Sequence, residues 1–351
     1  MRTSLLDYEL PEALIAVRPP EARDAARLLV LSAESTTHRR LVELPELLSP
    51  GALLVLNDTR VIRARLVGAR PGGGRAELLL LRRHGPAGRS ETWTALAKPL
   101  KRLRRGMTLE LGELRATLGE RRPDGELVVE LTAPESIEAS LERVGRVPIP
   151  PYLGRDDEPE DTIRYQTVFA RVPGSVAAPT AGLHLTPELL AEIRAREIEI
   201  AHVTLHVGPG TFKPVTADDL DQHEMHAEAV EVGRAVVDAV ARARARAAPV
   251  VAVGTTVVRA LESAKDPERP GFLRAFSDDT RLLIQPGYRF GVVDALLTNF
   301  HLPKSTLLAL VAAFAGLEPL RRAYREAVSQ RYRFLSYGDA MWIPKRAEVG
   351  A

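Results

Sequence analysis

The chain has 351 residues, 45% apolar and 27% charged, with a formal net charge of +2 and no cysteine. That length and composition suffice for a large core in one or two domains, while the lack of cysteine excludes disulfides, thiolate metal sites and a cysteine nucleophile. Asp7, Glu9 and Glu12 break the pattern of a signal peptide, and the longest apolar run, 307–317, falls short of the roughly 20 residues that span a bilayer, so a cytoplasmic location without a membrane segment is expected.

Read in chain order, LLVLNDT near residue 55 is a buried sheet strand that ends on polar residues. From Val61 to Val147 follow the short apolar runs ARLVGAR, AELLLLR, TWTALA, MTLELGELRATL and ELVVELT, parted by turns at Gly72-Gly73-Gly74, Gly85-Pro86, Gly106 and Pro123-Asp124-Gly125. That spacing predicts a small all-β unit, a barrel. Between Arg60 and Arg105 there are 13 Lys/Arg against Glu77 and Glu91, a local net charge of +11 that leaves −9 for the rest. Such asymmetry points to a polyanion, with nucleic acid the natural candidate; the plain alternative is an Arg-rich solvated surface.

After VPIPPYLG, helix and strand signals alternate. Thr186, Pro187 and Glu188 start a helix to about Glu197; IEIAHVTLHVG is a strand; Thr216 with Asp219 resembles a capping box and a helix start. A helix over about 234–247 leads to the strand PVVAVG, a helix from Thr255 to Ala264, the strand RLLIQPG and a helix from Lys304. The expected fold is therefore α/β: a layered α/β/α domain made of residues 1–60 and 148–351, discontinuous because the barrel domain, 61–147, is inserted.

Open α/β sheets bind ligands beyond the carboxyl ends of their strands, and polar clusters stand there. Asn57-Asp58-Thr59-Arg60 is the first, with an ordinary turn as its plain alternative. Gly254-Thr255-Thr256 opens a helix whose first amides suit a carboxylate or phosphate, or only a threonine cap. Asn299 to Thr306 contains His301, Lys304 and Ser305, but Pro303 before the lysine excludes a Walker-type loop. Among the histidines, His202 and His206 would share one strand face with Thr204, His184 stands in PTAGLHLT, and Glu224 lies between His223 and His226 as a candidate proton acceptor. No standard metal spacing occurs, so no metal is expected. Finally Tyr332 to Asp339 concentrates aromatic residues, Tyr337 included, that suit a purine or a sulfonium cation, with Asp339 adding negative potential.

The strings LVLNDTRVI, PGSVAAPTAGLHLT, HVTLHVGPGTFKPV, GTTVVRALES, TNFHLPKSTLLALVAAFAG and RYRFLSYGDAM resemble, in this order, the S-adenosylmethionine:tRNA ribosyltransferase-isomerase family over essentially the full length. Arg63, Leu185 and Pro209 are departures from its pattern. The resemblance implies an α/β domain with an inserted barrel, and an enzyme that moves the ribosyl group of S-adenosylmethionine onto 7-aminomethyl-7-deazaguanine at the tRNA wobble position, giving epoxyqueuosine with release of adenine and methionine. Such chemistry needs a base beside the sulfonium and an acid for adenine. Asp58, Glu224 and Asp339 are the candidate carboxylates, and His206 or His301 the proton shuttle. Thr255 and Thr256 suit the methionine carboxylate, with Asn299 and Tyr337 completing the S-adenosylmethionine site, and Arg60, Lys304 and Ser305 are read as contacts to ribose hydroxyls or tRNA phosphate. The chain is expected to act as a monomer on tRNA. Competing readings are an RNA-binding module without catalysis, a paralogue with another acceptor, and a metal-dependent hydrolase.

Overall fold

A computed structural model describes residues 1–123, 125–212 and 214–344; Asp124 of the expected turn lies outside them. β1 (Arg27–Leu31) and β2 (Thr36–Arg40) form an antiparallel pair, α1 (Leu44–Leu47) follows, and β3 (Leu53–Asn57) enters the middle of the main sheet. β4 (Thr59–Val61) leaves that sheet. The chain then closes a barrel from β5 (Arg65–Ala69), β6 (Arg75–His84), β7 (Ser90–Lys98), β8 (Thr108–Leu111), β9 (Leu114–Arg121) and β10 (Leu127–Thr132). The run read as one segment, MTLELGELRATL, splits at Gly112, whose φ of 70° makes the β8–β9 turn. α2 (Ile137–Val144) packs Ile137 and Leu141 with the barrel core. After α3 (Asp161–Arg164), β11 (Val172–Ser175) returns parallel to β4, with Val172 opposite Thr59.

The remainder alternates as α4 (Pro187–Ala195), β12 (Glu199–Leu205), β13 (Glu228–Val232), α5 (Arg234–Ala245), β14 (Val250–Val253), α6 (Thr255–Ser263), β15 (Phe276–Thr280), β16 (Ala295–Asn299), α7 (Thr306–Ala315), α8 (Leu317–Ser329) and β17 (Ala340–Ile343). The main sheet has the order β15-β13-β12-β3-β14-β16-β17-β1-β2, and β12, β3, β14 and β16 run parallel. Its strands alternate side chains between two cores, as a period of two requires. Leu54, Leu56, Val251 and Val253 cluster with Leu44 of α1 and Leu189 of α4, whereas Leu53, Val55, Val250 and Ala252 cluster with Val240, Leu261, Leu310 and Leu320 of α5 to α8. Strands buried on both faces explain the continuous apolar runs. Among the described residues no helix is long and apolar enough to cross a membrane.

Helix starts follow their caps: Thr186 accepts from the Leu189 amide at 3.1 Å, and Ser305 accepts from that of Leu308 at 3.2 Å. Two expected elements are corrected. RLLIQPG forms no strand; Phe276–Thr280 pairs with β13 instead, while the side chains of Leu282, Leu283 and Ile284 pack on the core. The capping box at Thr216 opens no α-helix, only a turn at Leu220–Gln222, because the N-terminus holds this segment: the Thr3 amide donates to Asp218 at 2.9 Å and the Met1 amine to Asp219 at 2.8 Å.

Candidate active site

Three neighbouring parallel strands, β3, β14 and β16, bring their carboxyl ends together and deliver Asn57, Gly254-Thr255-Thr256 and Asn299-Phe300-His301 to one edge of the sheet. An inner cleft opens there, enclosing ≈ 620 Å³ with its mouth, lined by Thr180, Thr255, Thr256, Asn299, His301 and Ser305 among others. Gly254, at φ 92°, turns the chain directly from β14 into α6, and no side chain caps that helix. Its first-turn amides therefore keep the partial positive charge of a helix N-terminus beside the cleft. Asn57 braces this turn, donating to the Thr256 hydroxyl at 3.3 Å and to the Leu205 carbonyl at 2.9 Å.

On the far wall Asn299 accepts from the Thr180 hydroxyl at 2.9 Å and donates to the Leu335 carbonyl at 3.1 Å. The His301 ring lies 2.8 Å from the Thr298 hydroxyl, and burial pushes its pKa down to about 3, so the imidazole is neutral at physiological pH. The Ser305 hydroxyl is engaged as the α7 cap and donates to the Leu302 carbonyl at 2.7 Å. Tyr152 and Ser336 close another side, their hydroxyl oxygens 2.5 Å apart.

Val207 also borders a second, wider cleft between the barrel and the main sheet, ≈ 2440 Å³ with its open volume. His206, Glu224 and Arg60 line it. The His206 ring lies 2.7 Å from the Thr59 hydroxyl and rests on Gly174, where an added Cβ would come within 2.9 Å of the ring; burial lowers its pKa. Glu224 is exposed, and Arg60 faces Glu142 at 3.5 Å and Glu138 at 3.8 Å. The loop between the clefts is fixed by Glu228, which accepts from the Gly208 amide at 3.0 Å and pairs with buried Arg259.

Four residues expected at the same centre line neither cleft. Asp58 is buried and engaged on both oxygens: one accepts from the Thr204 hydroxyl at 2.7 Å, the other from Arg171 at 2.7 and 3.1 Å. Asp339 is equally occupied, by the amides of Arg27 at 2.9 Å and Arg333 at 2.8 Å and by the Arg27 guanidinium. Tyr337 turns its hydroxyl to Asp161 at 2.8 Å, and Lys304 turns its ammonium to Asp7 at 2.7 Å. Carboxylates so paired hold neighbouring loops together, and Asp58 and Asp339 both lie away from the clefts. Of the histidines expected on one strand face, His202 packs against Phe169, and His206 lies just past the end of β12. No group of three metal-ligating side chains occurs among the described residues.

The sequence profile of the family described as queuosine biosynthesis protein matches residues 3–343. The chain belongs to this family. It is 56% identical to the S-adenosylmethionine:tRNA ribosyltransferase-isomerase of Sorangium cellulosum, with 98% of each chain covered, and 52% identical to that of Anaeromyxobacter sp., covering 98% of this chain and 99% of the other. Among solved structures it is similar to the S-adenosylmethionine tRNA ribosyltransferase of Thermotoga maritima, at 37% identity and a TM-score of 0.55, covering 97% of this chain and all of the other. The chain is accordingly an enzyme of the queuosine biosynthesis family, and the fold expectation, α/β with an inserted barrel, holds.

In this family member, sequence reasoning missed Thr180, Tyr152, Thr298 and Ser336 as wall residues. Thr180 could have been found, since PTAGLH places a hydroxyl among small residues that admit close approach. Ser336 lies within the stretch Tyr332 to Asp339 already singled out, though its aromatic residues drew the reading, and Tyr152 and Thr298 carry no local signal that separates them from packing residues.

Proposed function

We propose that this chain transfers and isomerises the ribosyl group of S-adenosylmethionine onto 7-aminomethyl-7-deazaguanine in tRNA, giving epoxyqueuosine with release of adenine and methionine. The observation that carries the reading is the pair of clefts meeting at Val207, one beside an uncapped helix N-terminus and the other beneath the barrel. The relatives' names supply the donor and the nucleic acid.

In this reading the inner cleft takes S-adenosylmethionine. The α6 amides, with Thr255 and Thr256, hold the methionine carboxylate, while Asn299 and Ser305 border the rest. The sulfonium acidifies the adjoining ribose carbon; of the carboxylates named from sequence only Glu224 faces a cleft, the outer one, so it is the final proton acceptor, reached through His301 of the inner cleft or His206 of the outer one. The aminomethyl nitrogen, giving up a proton, bonds to the ribosyl carbon that adenine leaves, adenine departing after protonation; the deprotonated carbon beside sulfur closes a carbon–carbon bond onto that same carbon as its bond to the ring oxygen breaks, and the freed oxygen displaces sulfur to form the epoxide and release methionine. Arg60, at the outer cleft, orients ribose hydroxyls, and the inserted segment 61–147 contacts the tRNA backbone.

The test is mass spectrometry of precursor tRNA incubated with the protein and S-adenosylmethionine labelled in the ribose. Label in the anticodon base, with adenine and methionine released, is the expected result. Binding of S-adenosylmethionine with no label transferred would refute the acceptor.

A further inference from the structure

The 13 cations between Arg60 and Arg105 divide into two groups. Seven have a carboxylate within 4.0 Å. Those around the outer cleft belong to this group: Arg60 faces Glu142, Arg82 pairs with Asp279 at 2.6 Å, and Arg83 lies 4.0 Å from Glu91. Carboxylates that neutralise a cation also repel a phosphate, so Arg60, Arg82 and Arg83 make a poor polyanion surface at the cleft.

The β7–β8 connection is different. Lys98, Lys101, Arg102 and Arg104 are all exposed, and none has a carboxylate within ion-pair distance among the described residues. The connection is also ordered by its own contacts. Leu100, Leu103 and Met107 pack against the barrel core, the Arg102 amide donates to the Pro99 carbonyl at 3.1 Å, and the Met107 amide donates to that of Arg104 at 3.1 Å. Apolar residues thus anchor the segment and the cations between them stand outward. Four uncompensated like charges in seven residues repel one another in the free protein, and a polyanion removes that repulsion.

We propose that the end of β7 and the β7–β8 connection, through Lys98, Lys101, Arg102 and Arg104, are the main phosphate-backbone contact for the RNA substrate, and that the paired cleft arginines Arg60, Arg82 and Arg83 are not. This rests on the tRNA reading above. On β7, Thr94 borders the outer cleft and Lys98 lies four residues on, a span of about 13 Å at roughly 3.3 Å per residue. At about 3.4 Å of rise per phosphate on one strand, the contacted phosphates lie some four nucleotides from the modified base.

The test compares the full-length chain with two variants, one carrying Lys98→Gln, Lys101→Gln, Arg102→Gln and Arg104→Gln, the other Arg82→Gln and Arg83→Gln, in tRNA binding over a range of salt. Each phosphate contact contributes roughly 0.7–0.9 to the slope of log K against log[salt]. The expected result for the fourfold variant is a slope smaller by about 3 with an unchanged Tm, and for the cleft variant a slope within about 1 of the parent. An unchanged slope in the fourfold variant, or an equal fall in the cleft variant, overturns the assignment. So does a fourfold variant that loses binding to anionic phospholipid vesicles but keeps its tRNA slope. Backbone contact is indifferent to the wobble base, so tRNA without the deazaguanine is expected to give the same slopes. Absent ribosyl transfer with the expected slopes counts against the proposed reaction alone, whereas normal transfer with an unchanged slope in the fourfold variant counts against the loop alone.

Discussion

Tyr8 and Tyr324 meet edge to face, ring centroids 5.0 Å apart, and hold His301 between their hydroxyls: that of Tyr8 donates to the His301 carbonyl, and that of Tyr324 accepts the His301 amide at 2.9 Å. Removing the Tyr324 oxygen leaves a buried N–H without a partner, a cost of about 1–3 kcal/mol. Tyr324→Phe is therefore expected to lower the unfolding free energy by that amount, read as a lower denaturant midpoint at unchanged m, and to raise the KM for S-adenosylmethionine. An unchanged midpoint would show that the clamp contributes no stability.

The neutral His301 sets a pH dependence of opposite sign to that of a histidine paired with a carboxylate. Its pKa falls from the ordinary 6.5 to about 3 on burial, so in acid the unfolded chain takes up a proton that the folded chain refuses. Stability is full above about pH 6.5 and declines toward pH 3, by up to about 1.4 kcal/mol per pH unit for this one group. His184, His202 and His206 are shifted down by burial as well and add in the same direction. His301→Asn is expected to flatten the curve between pH 6 and 4, as read from urea unfolding at each pH; a curve of unaltered slope would refute the neutral assignment.

Asp58 is expected to respond as a brace. Its partners are a buried threonine hydroxyl and a guanidinium that is 77% exposed. Asp58→Ala removes acceptors of charge-assisted hydrogen bonds, each worth about 1.5–3 kcal/mol, and lowers Tm. Arg171→Ala costs no more than about 1 kcal/mol because water screens that side. If Asp58→Asn abolished single-turnover ribosyl transfer while leaving Tm and S-adenosylmethionine affinity intact, a chemical role would have to be restored to it.

Gly254 holds the turn into α6 at a backbone angle that side chains avoid, and a Cβ there would meet that of Ala181 at 3.4 Å. Gly254→Ala is expected to cost roughly 1–2 kcal/mol of stability. By tilting the α6 amides it also raises the KM for S-adenosylmethionine, on the order of tenfold for each 1.4 kcal/mol lost, with a smaller change in kcat. Calorimetric titration with S-adenosylmethionine decides this: equal affinity in parent and variant would detach the helix N-terminus from binding.

The strands of the parallel core were legible because burial on both faces makes their sequences continuously apolar, and α4 because Thr186 caps it; α7 was expected from Lys304, and Ser305, read as a ligand contact, turns out to be its cap. β15 was not. FSDDT is polar and its pairing with β13 is a long-range choice, while the more apolar RLLIQPG buries its side chains as irregular chain. The site divides along the same line. Polar residues after apolar strands pointed to Thr255, Asn299 and His301, which line the inner cleft, since strand direction alone puts them at one edge. Whether a carboxylate is free depends on partners far along the chain, as with Arg27 for Asp339 and Arg171 for Asp58, and no local spacing encodes that.

The parallel pairing of β4 with β11 sets the two openings of the inserted segment side by side, and this bears on the order in which the molecule is made. Leu53 of β3 pairs with Glu199 of β12, so the central strand leaves the ribosome 146 residues before its neighbour on that side. The barrel, whose pairings all fall between Arg65 and Thr132, is complete well before then. Contacts of short sequence separation form first. Translation halted near residue 150 is thus expected to yield barrel amides protected from hydrogen exchange beside an unprotected β3, the finished β unit holding one end of an enzyme whose reaction centre has yet to be synthesised.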